Sequence, residues 1–357
     1  MKKKVVIIGG GFAGVEVAAR LHEDFDVTLV DMKEYFECTV GLPLAISEPQ
    51  YLSHMTAPYA SILKGINVLQ GKVTEVTPEE IVYKGGKLPF DYLCVCTGSS
   101  YPYPVKPQDE TTVTSRLAAI HSVHTKLKKG ERVLVIGGGA VGVEVAGEIA
   151  STYPEKQLTI LESGTSLLSR LHKSAQRYAE NFFQDNGARL LLNEKMTVKE
   201  NNIYVTDKGT RIPADIVFEC TGIKPNTDFL EKNFSNHLDE RKRVKVNSYL
   251  QLEGYPNIVA LGDCNNVAEE KLAINAKRHA TLAVDNIKRM DNGARVKPYA
   301  ISKLFTTLVS CGRKKAIMAT RWYALGGHIF SQFKNLEVPI LMKTLTWSYP
   351  QFIWKVY

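Results

Sequence analysis

One device in this chain is written twice. Residues 4–20 read KVVIIGGGFAGVEVAAR and residues 132–148 read RVLVIGGGAVGVEVAGE; ten of the fourteen positions in Val5–Ala18 match Val133–Ala146. In each copy a short apolar, β-branched run has the composition of a parallel strand buried on both faces. G-x-G-x-x-G comes next, as Gly9, Gly11 and Gly14 and again as Gly137, Gly139 and Gly142. The first glycine permits the tight turn, the second lets a pyrophosphate approach the backbone, and the third lets the helix pack closely on the strand. The positive end of that helix faces the phosphates. A second strand then ends in an acid, Asp31 after DVTLVD and Glu162 after QLTILE, placed to accept hydrogen bonds from a ribose.

The duplication runs to domain scale. LPFDYLCVCTGSS (88–100) corresponds to IPADIVFECTGIKP (212–225), so each unit closes on a strand and a Thr-Gly pair, Thr97-Gly98 and Thr221-Gly222. These pairs are expected to bring backbone near a bound dinucleotide. Two cradles imply two dinucleotides, and electron transfer between them supplies a reason for both. The expected fold is α/β, with two Rossmann-like dinucleotide-binding domains and a small C-terminal segment.

The 357 residues suffice for two or three cored domains, and 44% hydrophobic with 23% charged residues is ordinary globular composition. With a strand beginning near Met1, no secretory signal is expected. Met1-Lys2 offers no glycine for myristoylation. Six cysteines (38, 94, 96, 220, 264 and 311) show no C-x-x-C and no metal-ligand spacing. They read as small buried hydrophobes of a reducing cytosol.

The net charge of +8 is concentrated in the tail, where residues 301–357 hold eight Lys/Arg against one acid, Glu337, and all three tryptophans. KLFTTLVSCGRKKAIMAT (303–320) reads as a hairpin, although Ile301, Leu304, Phe305 and Leu308 also fit helical spacing. Trp322, Leu325, Ile329, Phe330 and Phe333 fall on one helical face. Pro339 and Pro350 are expected to interrupt the apolar stretch beyond that face. The longest charge-free stretch in the tail, 322–333, is shorter than the ~18 residues a spanning helix needs. Basic residues interleaved with Trp, Phe, Leu and Ile suit a membrane interface better than nucleic acid. A tail folded onto the body of the protein, or a homodimer interface, is the alternative.

Two glycine-rich units, two Thr-Gly strands and NIVALGDCNNV (257–267) resemble the flavoproteins with two dinucleotide-binding domains. LVDMKEYFE, TYPEKQLTI, TDKGTRIPADIVFECTGIKPN, GDCNNV…KLAINAKRHATLAVDNIK and KPYAISKLFTTLVSCGRKKA are similar to the ferroptosis suppressor protein family, also called AIF-like mitochondrion-associated protein 2. Type II NADH:quinone dehydrogenases are the next relatives.

The resemblance implies FAD in the first unit, NAD(P)H in the second and a membrane quinone as acceptor. It implies an FAD domain of residues 1–112 and 236–300, an NAD(P)H domain of residues 113–235, and a membrane- and quinone-associated segment 301–357. FAD contacts are expected from Gly9, Gly11, Phe12, Ala13, Gly14, Asp31, Lys33, Val73, Thr97, Gly98, Gly262 and Asp263. Nicotinamide-nucleotide contacts are expected from Gly137, Gly139, Gly142, Glu162, Thr221 and Gly222. Glu144 occupies the place of a glutamate that lies beside the nicotinamide in related quinone reductases, and Lys334 matches a tail lysine near their quinone.

Chemistry narrows the choices. Disulphide reductases of the family this chain resembles place a C-x-x-x-x-C pair just after the first acidic strand end, and no such relay is available there, because the position five residues after Cys38 is Pro43. A carboxylate at Glu162 suits the 2′-hydroxyl of NADH and repels the 2′-phosphate of NADPH, so NADH is expected, with NADPH as the alternative. Ala273, Asn275, Ala276 and His279 fall on a helix expected beside the flavin, and a near-neutral His279 would supply a proton to a reduced quinone. The function expected is an FAD-dependent NAD(P)H:quinone oxidoreductase, cytoplasmic and peripherally bound to a membrane. A redox sensor like apoptosis-inducing factor, or a reductase of a soluble electron carrier, is the competing reading.

Overall fold

The computed structural model describes residues 1–302 and 306–347. Leu304, Phe305, Pro350 and Trp354 therefore lie outside the described residues. Two parallel sheets organise the chain. In the first, the order is Gln251–Leu252, Tyr255–Ala260, Tyr92–Val95, Lys4–Ile8, Asp26–Asp31 and Asn67–Gln70. All neighbours are parallel except the first pair. The second sheet runs Arg189–Leu192, Gln157–Glu162, Arg132–Ile136 and Ile216–Glu219, all parallel.

Each motif strand lies between its acid-ending partner and its Thr-Gly strand. Val5–Ile8 and Val133–Ile136 are at most 6% exposed, as strands covered on both faces must be. The duplication extends to a three-stranded antiparallel meander in each half, Val73–Val76 to Gly86–Pro89 and Met196–Glu200 to Arg211–Pro213. After the second sheet the chain crosses back, and Tyr255–Ala260 joins the first sheet beside Tyr92–Val95. Helix Ala273–Asp291 then packs against helix Phe12–Leu21.

The halves are tied at their Thr-Gly turns. Ser99–Ser100 pairs antiparallel with Lys224–Pro225. Thr97 Oγ1 donates to the Asn226 carbonyl (2.6 Å), and Asn226 Nδ2 donates to the Thr97 carbonyl (3.0 Å). Helix Val113–Lys129 starts on a capping box of Thr112 and Ser115. Its fully buried Arg116 makes two hydrogen bonds to Glu37, at 3.0 and 3.2 Å. All six cysteines are free and buried.

The expected hairpin is present. Thr306–Ser310 pairs with Ala316–Thr320, and Ala324–Gly327 adds a third strand. Val309, Cys311, Ile317, Ala319 and Ala324 are buried in the main core, so this hairpin is part of the body of the protein.

The tail helix differs from expectation. It spans His328–Trp347 and continues through Pro339, although an internal proline removes one ladder hydrogen bond. Trp322 and Leu325 precede it, in the turn and the third strand, because pairing with Met318 claims Leu325. Helical spacing across 322–333 merges a strand edge with a helix face. Exposed Ile329, Phe333, Leu336 and Ile340 recur at helical intervals, with exposed Trp322, Tyr323 and Leu325 on the preceding turn and strand. Among the described residues no helix is long and apolar enough to cross a membrane.

Candidate functional site

The two cradles share one construction. Gly9 has φ +95 and Gly137 has φ +107, a region that costs glycine little and other residues much. A Cβ on Gly9 would stand 2.6 Å from the Cys96 carbonyl oxygen, and one on Gly137 would stand 2.8 Å from that of Cys220. Side chains at Gly14 and Gly142 would strike the Gly9 and Gly137 carbonyls. The middle glycines differ. Gly11 and Gly139 are the N-caps of helices Phe12–Leu21 and Ala140–Thr152, both are exposed, and a Cβ on either meets nothing within 4 Å. A side chain there would fill open space at a positive helix end, and a pyrophosphate fits that space and charge.

The acids at the strand ends brace these turns. Asp31 accepts from the Gly10 amide and, at 2.7 Å, from that of Lys33. Glu162 accepts from the amides of Gly138 and Gly164. The carbonyl just before each of those middle glycines is also held: Gly10 O by the Tyr59 hydroxyl (2.9 Å), Gly138 O by the Leu168 amide (2.7 Å). Tyr59 is fully buried, and that burial raises its phenol well above the usual range. Sequence reasoning missed it, because no motif marks a tyrosine 49 residues from the glycine it supports.

Around the first cradle, half-buried Phe12 stacks edge-on against Phe36 (5.2 Å), and Ala13 is buried. The Lys33 ammonium lies 4.9 Å from the Tyr35 ring centre. Val73 is 6% exposed and belongs to the core beneath the first sheet. Gly98 and Gly222 have φ +62 and +53, and Thr221 is exposed.

Gly262 (φ +77) opens a short turn carrying Asp263. Asp263 accepts from Ser99 Oγ (2.6 Å), and Lys106 Nζ donates to the Ser99 carbonyl (2.6 Å) while standing 3.7 Å from Asp263. Burial lowers the Lys106 pKa, and Asp263 opposes that shift. Lys106 was also missed. It comes after the Thr-Gly strand in an irregular segment, and only the fold carries it back to Asp263.

His279 corrects the expectation of a near-neutral proton source. It is 1% exposed, and its Nδ1 accepts from the Gly262 amide at 3.0 Å and faces Asn265 Nδ2 at 3.2 Å. Two donors aimed at Nδ1 exclude a proton there, so Nε2 carries the hydrogen. Nε2 stands 2.8 Å from Glu269 Oε1, with the oxygen out of line for a hydrogen bond. Burial, aided by Lys271 and Arg278, lowers the pKa to about 4. His279 is neutral at pH 7 and orients the Gly262 turn. Asn275 is half-buried and donates to the Glu270 carbonyl at 2.9 Å.

Glu144 and Lys334, 190 residues apart in sequence, form an ion pair of 2.8 Å with side chains 10% and 12% exposed. Glu144 also accepts from the Ser310 amide (3.2 Å). The pair joins the second motif helix to the terminal helix, while the Ser310 amide brings in the hairpin. One turn further along that motif helix lies Glu148, 4% exposed, with Oε2 free of any hydrogen-bond partner. Among the described residues no cluster suits a metal ion.

Duplicated phosphate cradles, each with a bracing acid and joined at their Thr-Gly turns, define a flavoprotein oxidoreductase that binds FAD and a nicotinamide dinucleotide. The description "pyridine nucleotide-disulphide oxidoreductase" matches residues 3–283. Ferroptosis suppressor protein 1 of Taeniopygia guttata is 33% identical over 349 residues, covering 94% of this chain and 93% of that protein. Apoptosis-inducing factor homolog B of Dictyostelium discoideum is 33% identical over 318 residues, covering 82% of each. Among solved structures, NDH2 from Plasmodium falciparum in complex with NADH superposes with TM-score 0.79 at 18% identity, covering 99% of this chain and 100% of that one. The chain belongs to the pyridine nucleotide-disulphide oxidoreductase family, within its group of ferroptosis suppressor proteins and apoptosis-inducing factor homologues.

Proposed function

We propose that this protein passes reducing equivalents from NADH through FAD to a quinone at a membrane surface. The observation that carries this reading is the Glu144–Lys334 pair, shielded where the second motif helix meets the apolar terminal helix. FAD, when bound, accepts a hydride from the nicotinamide and delivers two electrons onward. The chain's own residues do the rest. Gly11 with Asp31 and Gly139 with Glu162 would fix the two nucleotides, and the Ser99–Lys106–Asp263 cluster with the Gly262 turn would help hold FAD. Lys334 is a charged donor for a quinone oxygen, and Glu144 orients it. The exposed stripe Ile329, Phe333, Leu336 and Ile340 sits on the same helix as Lys334, so a lipid surface beneath it would deliver an apolar substrate to that lysine.

Glu162 supports NADH over NADPH, because its carboxylate would face a 2′-phosphate. The test compares kcat/KM for both nucleotides in the wild type and in Glu162→Ala. NADH should be preferred, and the substitution should lower NADH efficiency by at least about 10-fold, the value of one charge-assisted hydrogen bond, because it also removes the brace on the Gly138 and Gly164 amides. A wild-type preference for NADPH refutes the assignment. The quinone reading is tested by NADH-driven turnover of a short-chain ubiquinone analogue with and without anionic vesicles. Phe333→Asp with Ile340→Asp should abolish vesicle binding; turnover indifferent to vesicles and to these substitutions would point to a soluble acceptor.

A further inference from the structure

We propose that Glu148 is the proton reservoir of the acceptor site, a buried carboxyl that supplies through Glu144 the proton a quinone requires. Its role rests on the quinone reading of this protein. Glu148 lies four residues after Glu144 on helix Ala140–Thr152, so both carboxyls project from one face. An ionised carboxylate that is buried and lacks a donor is costly, and the group escapes that cost by holding a proton. Oε2 of Glu148 is such an atom.

Its surroundings are charged on several sides. Glu144 lies on the same helix, Cys311 and Arg313 come from the hairpin turn, Glu48 from the end of helix Leu42–Ser47, and Lys334 from the terminal helix. Burial first, then the Glu144 carboxylate, raises the Glu148 pKa to about 7, with Arg313 and Lys334 opposing. The site therefore holds and releases protons near neutrality, the range in which proton transfer is most effective.

The hairpin turn covers this part of the helix, and a partly exposed ion pair lies nearby. Gly147, the residue before Glu148, lets the hairpin turn approach so closely that a Cβ would stand 2.7 Å from the Gly312 amide nitrogen and 2.8 Å from Cys311 Cα. At the rim Arg313 pairs with Glu48 at 2.9 Å and with the Tyr51 hydroxyl at 2.8 Å, and its side chain is 46% exposed. Glu48, Arg313, Glu144 and Lys334 all act electrostatically on Glu148, and the proposed order from water to acceptor is the Glu48–Arg313 rim, Glu148, Glu144 and Lys334.

The balance is NADH + quinone + H⁺ → NAD⁺ + quinol. The hydride supplies the electron pair and one hydrogen. Glu148 gives up the remaining proton, becomes a carboxylate, and is reprotonated from solvent. Because it acts through Glu144, Glu148 is a positioning residue.

The experiment uses the flavin-loaded protein and two acceptors, a short-chain ubiquinone analogue that takes up protons and ferricyanide that does not. Wild-type quinone turnover should fall as pH rises through about 7. Glu148→Gln should lower quinone kcat on the order of 100-fold, the usual worth of a positioned acid, and erase that limb. Its ferricyanide turnover should fall far less. A protonated-carboxyl infrared band titrating near neutrality should be missing in Glu148→Gln, and Glu148→Asp should restore a displaced pH limb. Glu148→Gln with unchanged quinone turnover and pH profile overturns the assignment, as does an equal loss with both acceptors, which would mark a structural role. Wild-type protein that reduces ferricyanide and no quinone would sink the quinone reading itself, and Glu148's role with it.

Discussion

Replacing Lys334 with methionine keeps the length of the side chain and removes its charge. Glu144 would then retain the Ser310 amide at 3.2 Å but lose its cation at 2.8 Å, in a place where both side chains are nearly nine-tenths covered. Breaking a buried pair by removing one partner costs about 3–5 kcal/mol, most of it from the charge left behind. Slight exposure and the remaining amide place the expectation at the lower end, about 3 kcal/mol. That is a large part of a typical total of about 5–15 kcal/mol. The double variant Glu144→Gln/Lys334→Met removes both charges of the pair and should recover most of the loss. Urea unfolding of the four proteins gives the coupling energy, expected above about 1 kcal/mol. Lys334→Met within about 0.5 kcal/mol of wild type, with no coupling, would show that the terminal helix is not held against the second motif helix by this pair.

Asp31→Asn should weaken FAD retention about 10- to 100-fold in titration calorimetry, because asparagine keeps one acceptor oxygen and loses the other, and one charge-assisted bond is worth about 1.5–3 kcal/mol. Gly147→Val should unseat the hairpin from helix Ala140–Thr152 and lower the melting temperature, since the added atoms meet backbone; a normal melting curve would contradict the close approach. Stability against pH should show two opposed groups. Glu148, raised from 4.5 to about 7, binds more protons in the native state, so it lowers stability as pH rises through that window. His279, lowered from 6.5 to about 4 amid Glu269, Tyr299, Lys271, Arg278 and Asp263, binds fewer, so its contribution is lost as pH falls from 6.5 to about 4. Each shift is worth about 3 kcal/mol. Wild-type stability should be nearly flat between about pH 4.5 and 6.5, with Glu148→Gln unmasking a rise with pH; the same flat profile in the variant would contradict a protonated Glu148.

The cradles were legible because they need local chemistry: glycines at fixed offsets, an apolar run before them and an acid after the next strand. The tail hairpin was legible for the same reason. Contacts made by tertiary packing were not. Nothing near Glu144 in sequence announces Lys334, and Glu148 reads as one more charge on a helix until its burial is seen. His279 looked like a proton source because an isolated histidine titrates near neutrality, yet two donors aimed at Nδ1 fix it neutral. Helical spacing across Trp322–Phe333 misled because strand pairing claims Leu325, and the expected break at Pro339 did not occur, since the terminal helix runs on through it.

The central claim is that two nucleotides lie close enough for a hydride to pass between them. Anaerobic stopped-flow mixing of the flavin-loaded protein with NADH tests it most directly. The visible flavin absorption should bleach rapidly and return when a ubiquinone analogue is added. A protein that takes up no flavin, or whose flavin NADH leaves unbleached, would contradict the account.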